Sequence, residues 1–96
     1  MKESESTNPP LEPGYYCYIV ECGDGSYYTG WAKDPYHRCT VHNTGKGAKY
    51  TRMHAPVKLV YFERLESIQA VVKRERAVKK LTRLAKIKLI EQFNLP

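Results

Sequence analysis

Aromatic and β-branched side chains crowd into Tyr15–Cys22 (YYCYIVEC), and a second such run, 26–31 (SYYTGW), begins three residues later. Short runs of this composition, bounded by turn residues, read as paired strands. A third run, VKLVYFE, follows Pro56, and its unbroken apolar stretch predicts a buried, central strand. Between the second and third runs, Asp34-Pro35 is a helix start: aspartate accepts the orphan amides of the first turn, and proline fits the first helical position. That helix is expected to reach about Thr44, with Gly45 past its end. Residues 45–54 read as a loop. A second helix is expected from the N-cap Ser67 to about Leu81, and a last one from Thr82 to near Phe93. The order β-β-α-β-α-α predicts an α+β domain in which helices flank a small antiparallel sheet.

The turn Gly23-Asp24-Gly25 decides where the tyrosines point. A two-residue turn would pair Tyr18 with Trp31 and put Tyr18 and Tyr28 on opposite faces. A three-residue loop with Gly25 left-handed pairs Tyr18 with Gly30 and places Tyr18, Val20, Tyr28 and Gly30 on one face. Both turns suit the residues. Only the second lets two phenols converge, and it is the expectation adopted.

Ninety-six residues make one domain. Residues 1–13 (MKESESTNPPLEP) are polar and aperiodic, and a disordered tail is expected there, with residues 14–96 as the folded part. That part carries fifteen Lys and Arg against seven Asp and Glu, a net +8, which points to a polyanionic partner such as nucleic acid. Cys17, Cys22 and Cys39 are odd in number and lack metal-binding spacing, so they read as free thiols in a reducing compartment. No apolar run is long enough to span a bilayer. A cytoplasmic location without membrane association is expected.

Charge and helical spacing then single out a few side chains. Continuing the stripe Ile68, Val71, Val72 brings Glu75 onto the buried side of its helix, where a carboxylate must be paired, hydrogen-bonded or metal-bound. A pair with a neighbouring arginine and a metal ligand are equally compatible with that placement. Arg38 and His42, four apart, share a helix face and offer a bidentate phosphate clamp and a proton carrier, or else simply a basic surface. Tyr16, Tyr18 and Tyr28 add phenols, although most of eight tyrosines will serve packing. The glycine-spaced segment 45–52 (GKGAKYTR) presents Lys46, Lys49 and Arg52 as a candidate contact to a nucleic-acid backbone. Its glycines and lysines do not form a P-loop. The last helix adds Arg83, Lys86 and Lys88 to the possible footprint.

Taken in order, Tyr16-Cys17-Tyr18, a short hairpin, Tyr28-Thr29-Gly30, the Arg38-x-x-x-His42 helix and a lone Glu75 resemble the GIY-YIG endonucleases. The resemblance runs from about Gly14 to about Ile90 and is nearest to small single-domain bacterial members. It implies a three-stranded sheet carrying a phosphodiesterase site. Tyr18, Tyr28, Arg38, His42 and Glu75 would be catalytic, and Glu75 would hold one Mg²⁺ or Mn²⁺. Tyr18 is the preferred activator of water, with His42 the competitor. The implied function is metal-dependent cleavage of DNA with little sequence preference, structured or branched DNA of the repair type being the expected substrate, and a protein partner could supply targeting. The alternative is a nucleic-acid-binding module with weak or no catalysis on the same basic surface. A basic surface that docks an acidic protein is the third reading.

Overall fold

The computed structural model describes residues 10–93. Most of the expected N-terminal tail, residues 1–9, lies outside the described residues. The chain forms β1 (Tyr15–Cys22), β2 (Tyr27–Ala32), α1 (Pro35–Asn43), α2 (Lys49–Met53), β3 (Val57–Leu65), α3 (Ile68–Lys79) and α4 (Arg83–Gln92). It is an α+β fold with a three-stranded antiparallel sheet in the order β2-β1-β3.

The hairpin takes the three-residue turn. The Cys22 amide donates to the Ser26 carbonyl at 2.8 Å, and Gly25 is left-handed with φ +87°. Asp24 Oδ1 closes the turn by accepting from the Ser26 amide at 3.0 Å and hydroxyl at 2.6 Å. In the resulting register Tyr18 faces Gly30 and Val20 faces Tyr28.

The sheet and the segment after α1 differ from the sequence-based expectation. The central strand is β1, and β3 is an edge. A β-bulge opposite Ile19/Val20 leaves Val60 as the extra residue, since Ile19 pairs with Tyr61 and Val20 with Leu59. The bulge switches the inward parity of β3 partway along, so side chains before and after it face different helices. The apolar run is thus used on both faces without a second neighbouring strand. The second correction concerns residues 45–54, which are not all loop: residues 49–53 close a short helix. Ala48 caps it without a side-chain bond, so nothing local announces it.

The sheet divides the core in two. One cluster joins Cys17, Ile19 and Tyr61 to Val71 and Val78 of α3. The other gathers Tyr18, Val20, Cys22, Val57 and Leu59, with Tyr28, Tyr36 and Cys39 packed against it, so α1 covers the opposite face from α3. Asp34 caps α1 by accepting from the His37 amide at 3.1 Å. At the other end Asn43 clips the helix to β3, donating to the Val57 carbonyl at 2.9 Å and accepting from its amide at 2.7 Å. Both ends of α1 are therefore held, and with them the direction in which His42 points. Ser67 and Thr82 cap α3 and α4 through the amides of Ala70 and Ala85. Ile68, expected on the buried stripe of α3, is instead exposed in the first turn.

Candidate active site

Tyr18 leans across its partner Gly30. A Cβ at position 30 would lie 2.6 Å from the Tyr18 hydroxyl oxygen, so this close cross-strand approach requires glycine. The phenol oxygen then meets His42 Nε2 at 2.8 Å, both groups being buried. The other ring nitrogen, Nδ1, meets Thr51 Oγ1 at 2.7 Å. Thr51 donates its own hydroxyl proton to the Ala48 carbonyl at 2.9 Å. A buried chain of polar atoms thus runs from the central strand through α1 to α2. Tyr18 is 2 % exposed, and His42 and Thr51 are sealed completely.

Aromatic rings wall this chain. Tyr28 meets the His42 ring edge-on at 5.5 Å and stacks on Tyr50 at 6.0 Å, and Tyr50 stacks on His54 at 4.3 Å. The Tyr50 hydroxyl donates to Ser26 Oγ at 2.7 Å, tying α2 to the hairpin. Gly47 packs against the ring as well: a Cβ there would collide with His42 Nδ1.

Electrostatics set both titrating groups in their neutral forms near pH 7. Burial pushes the Tyr18 phenol up to about 12, with Tyr28 and Glu75 acting in the same direction, while the Arg38 guanidinium beside it pulls the other way. Burial lowers His42 from its ordinary value, and the positive charge of Arg38 lowers it further. A neutral imidazole keeps one ring nitrogen free to accept a hydrogen bond from the neutral phenol it touches.

Of the residues singled out in the sequence, Tyr18, Tyr28 and His42 are in direct contact, and Arg38, half-buried on α1, lies at their side. Glu75 comes from α3, against the face that carries Cys17 and Ile19. Its charge raises both the Cys17 thiol and the Tyr18 phenol. Its carboxylate is 18 % exposed and pairs with Lys79 Nζ at 3.5 Å across one helical turn. The neighbouring Arg74 is committed to Glu63 at 2.9 Å instead. Lys46, Lys49 and Arg52 are exposed around α2. Tyr16 leaves the group, since its hydroxyl donates to the Glu12 carbonyl at 2.6 Å. Arg83 is likewise withdrawn from the possible footprint, bound to the Gly25 carbonyl at 3.0 Å and lying over the Tyr27 ring.

Among the described residues no three His, Cys, Asp or Glu side chains gather into a metal cage. A lone carboxylate in a loose ion pair suits a hard divalent cation that keeps most of its waters and shares the substrate's phosphate oxygens. Glu75 fits that role.

Thr51, Gly47 and Tyr50 join the site although the sequence analysis points to none of them by position. The only available signal for Thr51 is an uncharged side chain between the cations of GKGAKYTR, and its partner lies nine residues away on another helix.

A family model of the GIY-YIG catalytic domain matches residues 14–88. A UPF0213 protein of Staphylococcus epidermidis is 49% identical over 78 residues, covering 81% of this chain and 95% of the relative. One from Streptococcus agalactiae serotype V is 49% identical over 77 residues, covering 80% and 88%. The solution NMR structure of a UPF0213 protein from Bacillus halodurans is similar with a TM-score of 0.55 at 41% identity, covering 85% of this chain and 87% of that one. That of a protein from E. faecalis gives 0.57 at 40%, covering 88% and 91%.

Proposed function

The chain belongs to the GIY-YIG family, a nuclease family whose domain implies nucleic-acid binding, and from that premise we propose that it is a metal-dependent endonuclease acting on DNA of branched or flap structure. The observation that carries the reading is the buried Tyr18–His42 hydrogen bond of 2.8 Å beside Arg38. A phenol bonded to an imidazole beside a cation can relay a proton at a phosphate: as the phenol oxygen takes the proton of an attacking water, its own passes to the ring.

In this mechanism Arg38 turns onto the scissile phosphate and holds it with parallel N–H donors. Arg38 lies beside the buried phenol, so its movement would open the Tyr18 oxygen to water. A water attacking phosphorus gives its proton to the Tyr18–His42 pair as the new P–O bond forms and the ester oxygen departs. Glu75 would hold a Mg²⁺ or Mn²⁺ ion, which when bound polarises the phosphate and stabilises the leaving oxygen. Lys46, Lys49 and Arg52 bind the flanking backbone without reading bases, so sequence preference is weak.

The test is cleavage of branched and flap DNA with Mg²⁺ and with chelator, comparing wild type with Glu75→Ala and Arg38→Ala. Each substitution is expected to reduce the rate by about 10²–10³-fold. Equal rates in all three proteins would reject the assignment. A second reading, binding without useful catalysis, draws on the Glu75–Lys79 ion pair, which occupies the carboxylate a metal would need. It predicts DNA affinity that survives Glu75→Gln with no cleavage by the wild type.

A further inference from the structure

We propose that Thr51 is a positioning residue that fixes the His42 proton on Nδ1 and thereby makes Nε2 the acceptor for the Tyr18 phenol. The inference deepens the hydrolytic reading, because it decides which member of the pair receives the proton, but its structural part stands on the free protein.

Each hydrogen along the buried chain has one place to go. Thr51 has one hydroxyl proton, and the Ala48 carbonyl takes it at 2.9 Å. What Thr51 then presents to His42 is a lone pair, so the 2.7 Å contact is a bond donated by Nδ1–H. A neutral imidazole carries one ring proton. With it on Nδ1, Nε2 is bare and the 2.8 Å contact is donated by the Tyr18 hydroxyl. The opposite tautomer would turn the Thr51 hydroxyl away from Ala48 and set Nε2–H against the phenol, whose own proton would need another acceptor within the sealed pocket.

The site is built for this contact. Gly47 packs so closely against the Nδ1 side of the ring that any Cβ would strike it, so the segment carrying Thr51 reaches the imidazole only with glycine there. The short helix that turns Thr51 inward also carries Lys49 and Arg52 on its exposed side, so the imidazole is tied to the element expected to contact the nucleic-acid backbone.

Thr51→Val keeps the shape and volume and removes the acceptor; Thr51→Ser restores it. In ¹⁵N-resolved NMR of the His42 ring in the free protein, the wild type should show a protonated-type Nδ1 and a bare, pyridine-type Nε2. Thr51→Val should lose that pattern in favour of Nε2–H or a mixture, and Thr51→Ser should regain it. On a cleavable DNA, Thr51→Val should lower kcat roughly 10–100-fold with KM little changed, with Thr51→Ser close to wild type. A wild-type ring protonated at Nε2, or a Thr51→Val ring that keeps the wild-type pattern, would overturn the proposal whether or not the protein cleaves DNA. The expected ring pattern together with an inactive wild type would uphold the role of Thr51 and count against the hydrolytic reading alone.

Discussion

Replacing Gly30 by alanine probes the closest approach in the site. The new Cβ would sit 2.6 Å from the Tyr18 hydroxyl oxygen and 2.9 Å from Cζ, where ordinary contact begins near 3.4 Å. The phenol must withdraw by about 0.8 Å, the difference between the first and last of those distances. It has nowhere open to go, because Tyr18 is 2 % exposed and its oxygen is bonded to a sealed imidazole. Overpacking of this kind costs about 1–3 kcal/mol. Gly30 is not among the positive-φ residues, so alanine accepts the backbone and recovers about 0.4–1 kcal/mol from the unfolded chain. The net loss is about 1–2 kcal/mol, which moves a urea midpoint by about 1 M at a slope typical of small domains. Displacing a proton-transfer group by nearly 1 Å should lower turnover by up to about 10²-fold. Gly25→Ala is the control: nothing lies within 4 Å of its Cβ, but φ +87° strains any other residue there. It should cost about 1 kcal/mol with activity intact. Urea unfolding and single-turnover cleavage of both variants decide the matter. If Gly30→Ala unfolds and cleaves like the wild type, or if both variants lose activity equally, the reasoning from close approach fails.

Further consequences concern pH and salt. Because the folded Tyr18 pKa, about 12, lies above its unfolded value near 10, its contribution to stability is complete below pH 10. It is lost between pH 10 and 12, by about 3 kcal/mol; Tyr18→Phe should show a shallower alkaline fall in urea-derived stability, and unchanged slopes would contradict this. His42 is shifted the other way: its folded pKa lies below the unfolded one, so stability should fall as pH drops below about 6.5, and His42→Asn should flatten that fall. An equal loss in wild type and variant between pH 7 and 5 would remove His42 as its cause. Neutralising Lys46, Lys49 and Arg52 together should weaken duplex binding and reduce the slope of log affinity against log salt by about 3. A slope unaltered in fluorescence-anisotropy titrations would move the nucleic-acid contact elsewhere.

Much of this molecule is legible in local chemistry. Asp34-Pro35, Ser67 and Thr82 mark helix starts because capping satisfies amides within three residues, and all three act as caps. The three-residue turn follows from Gly25, and the register it sets puts Tyr18 beside Gly30. What is not legible depends on partners distant in the chain. An unbroken apolar run suggests a central strand, but β3 uses it at an edge because a bulge redirects its side chains between two helix layers. Thr51 shows no periodicity or motif that points at His42. Its role appears only when α2 folds back and Gly47 lets the backbone approach the ring. Glu75 falls between these cases: spacing predicts its partial burial, but not that Lys79 would pair with it, nor that its charge would reach the Tyr18 phenol.

In the proposed reaction the buried phenol–imidazole pair moves the proton of phosphodiester hydrolysis. Single-turnover cleavage of flap DNA with saturating Mg²⁺, wild type against Tyr18→Phe, tests it most directly, because phenylalanine keeps the ring and removes only the oxygen bonded to His42. The expected result is a loss of about 10²–10⁴-fold in the cleavage rate with DNA affinity unchanged. A Tyr18→Phe protein that cleaves at the wild-type rate would contradict it.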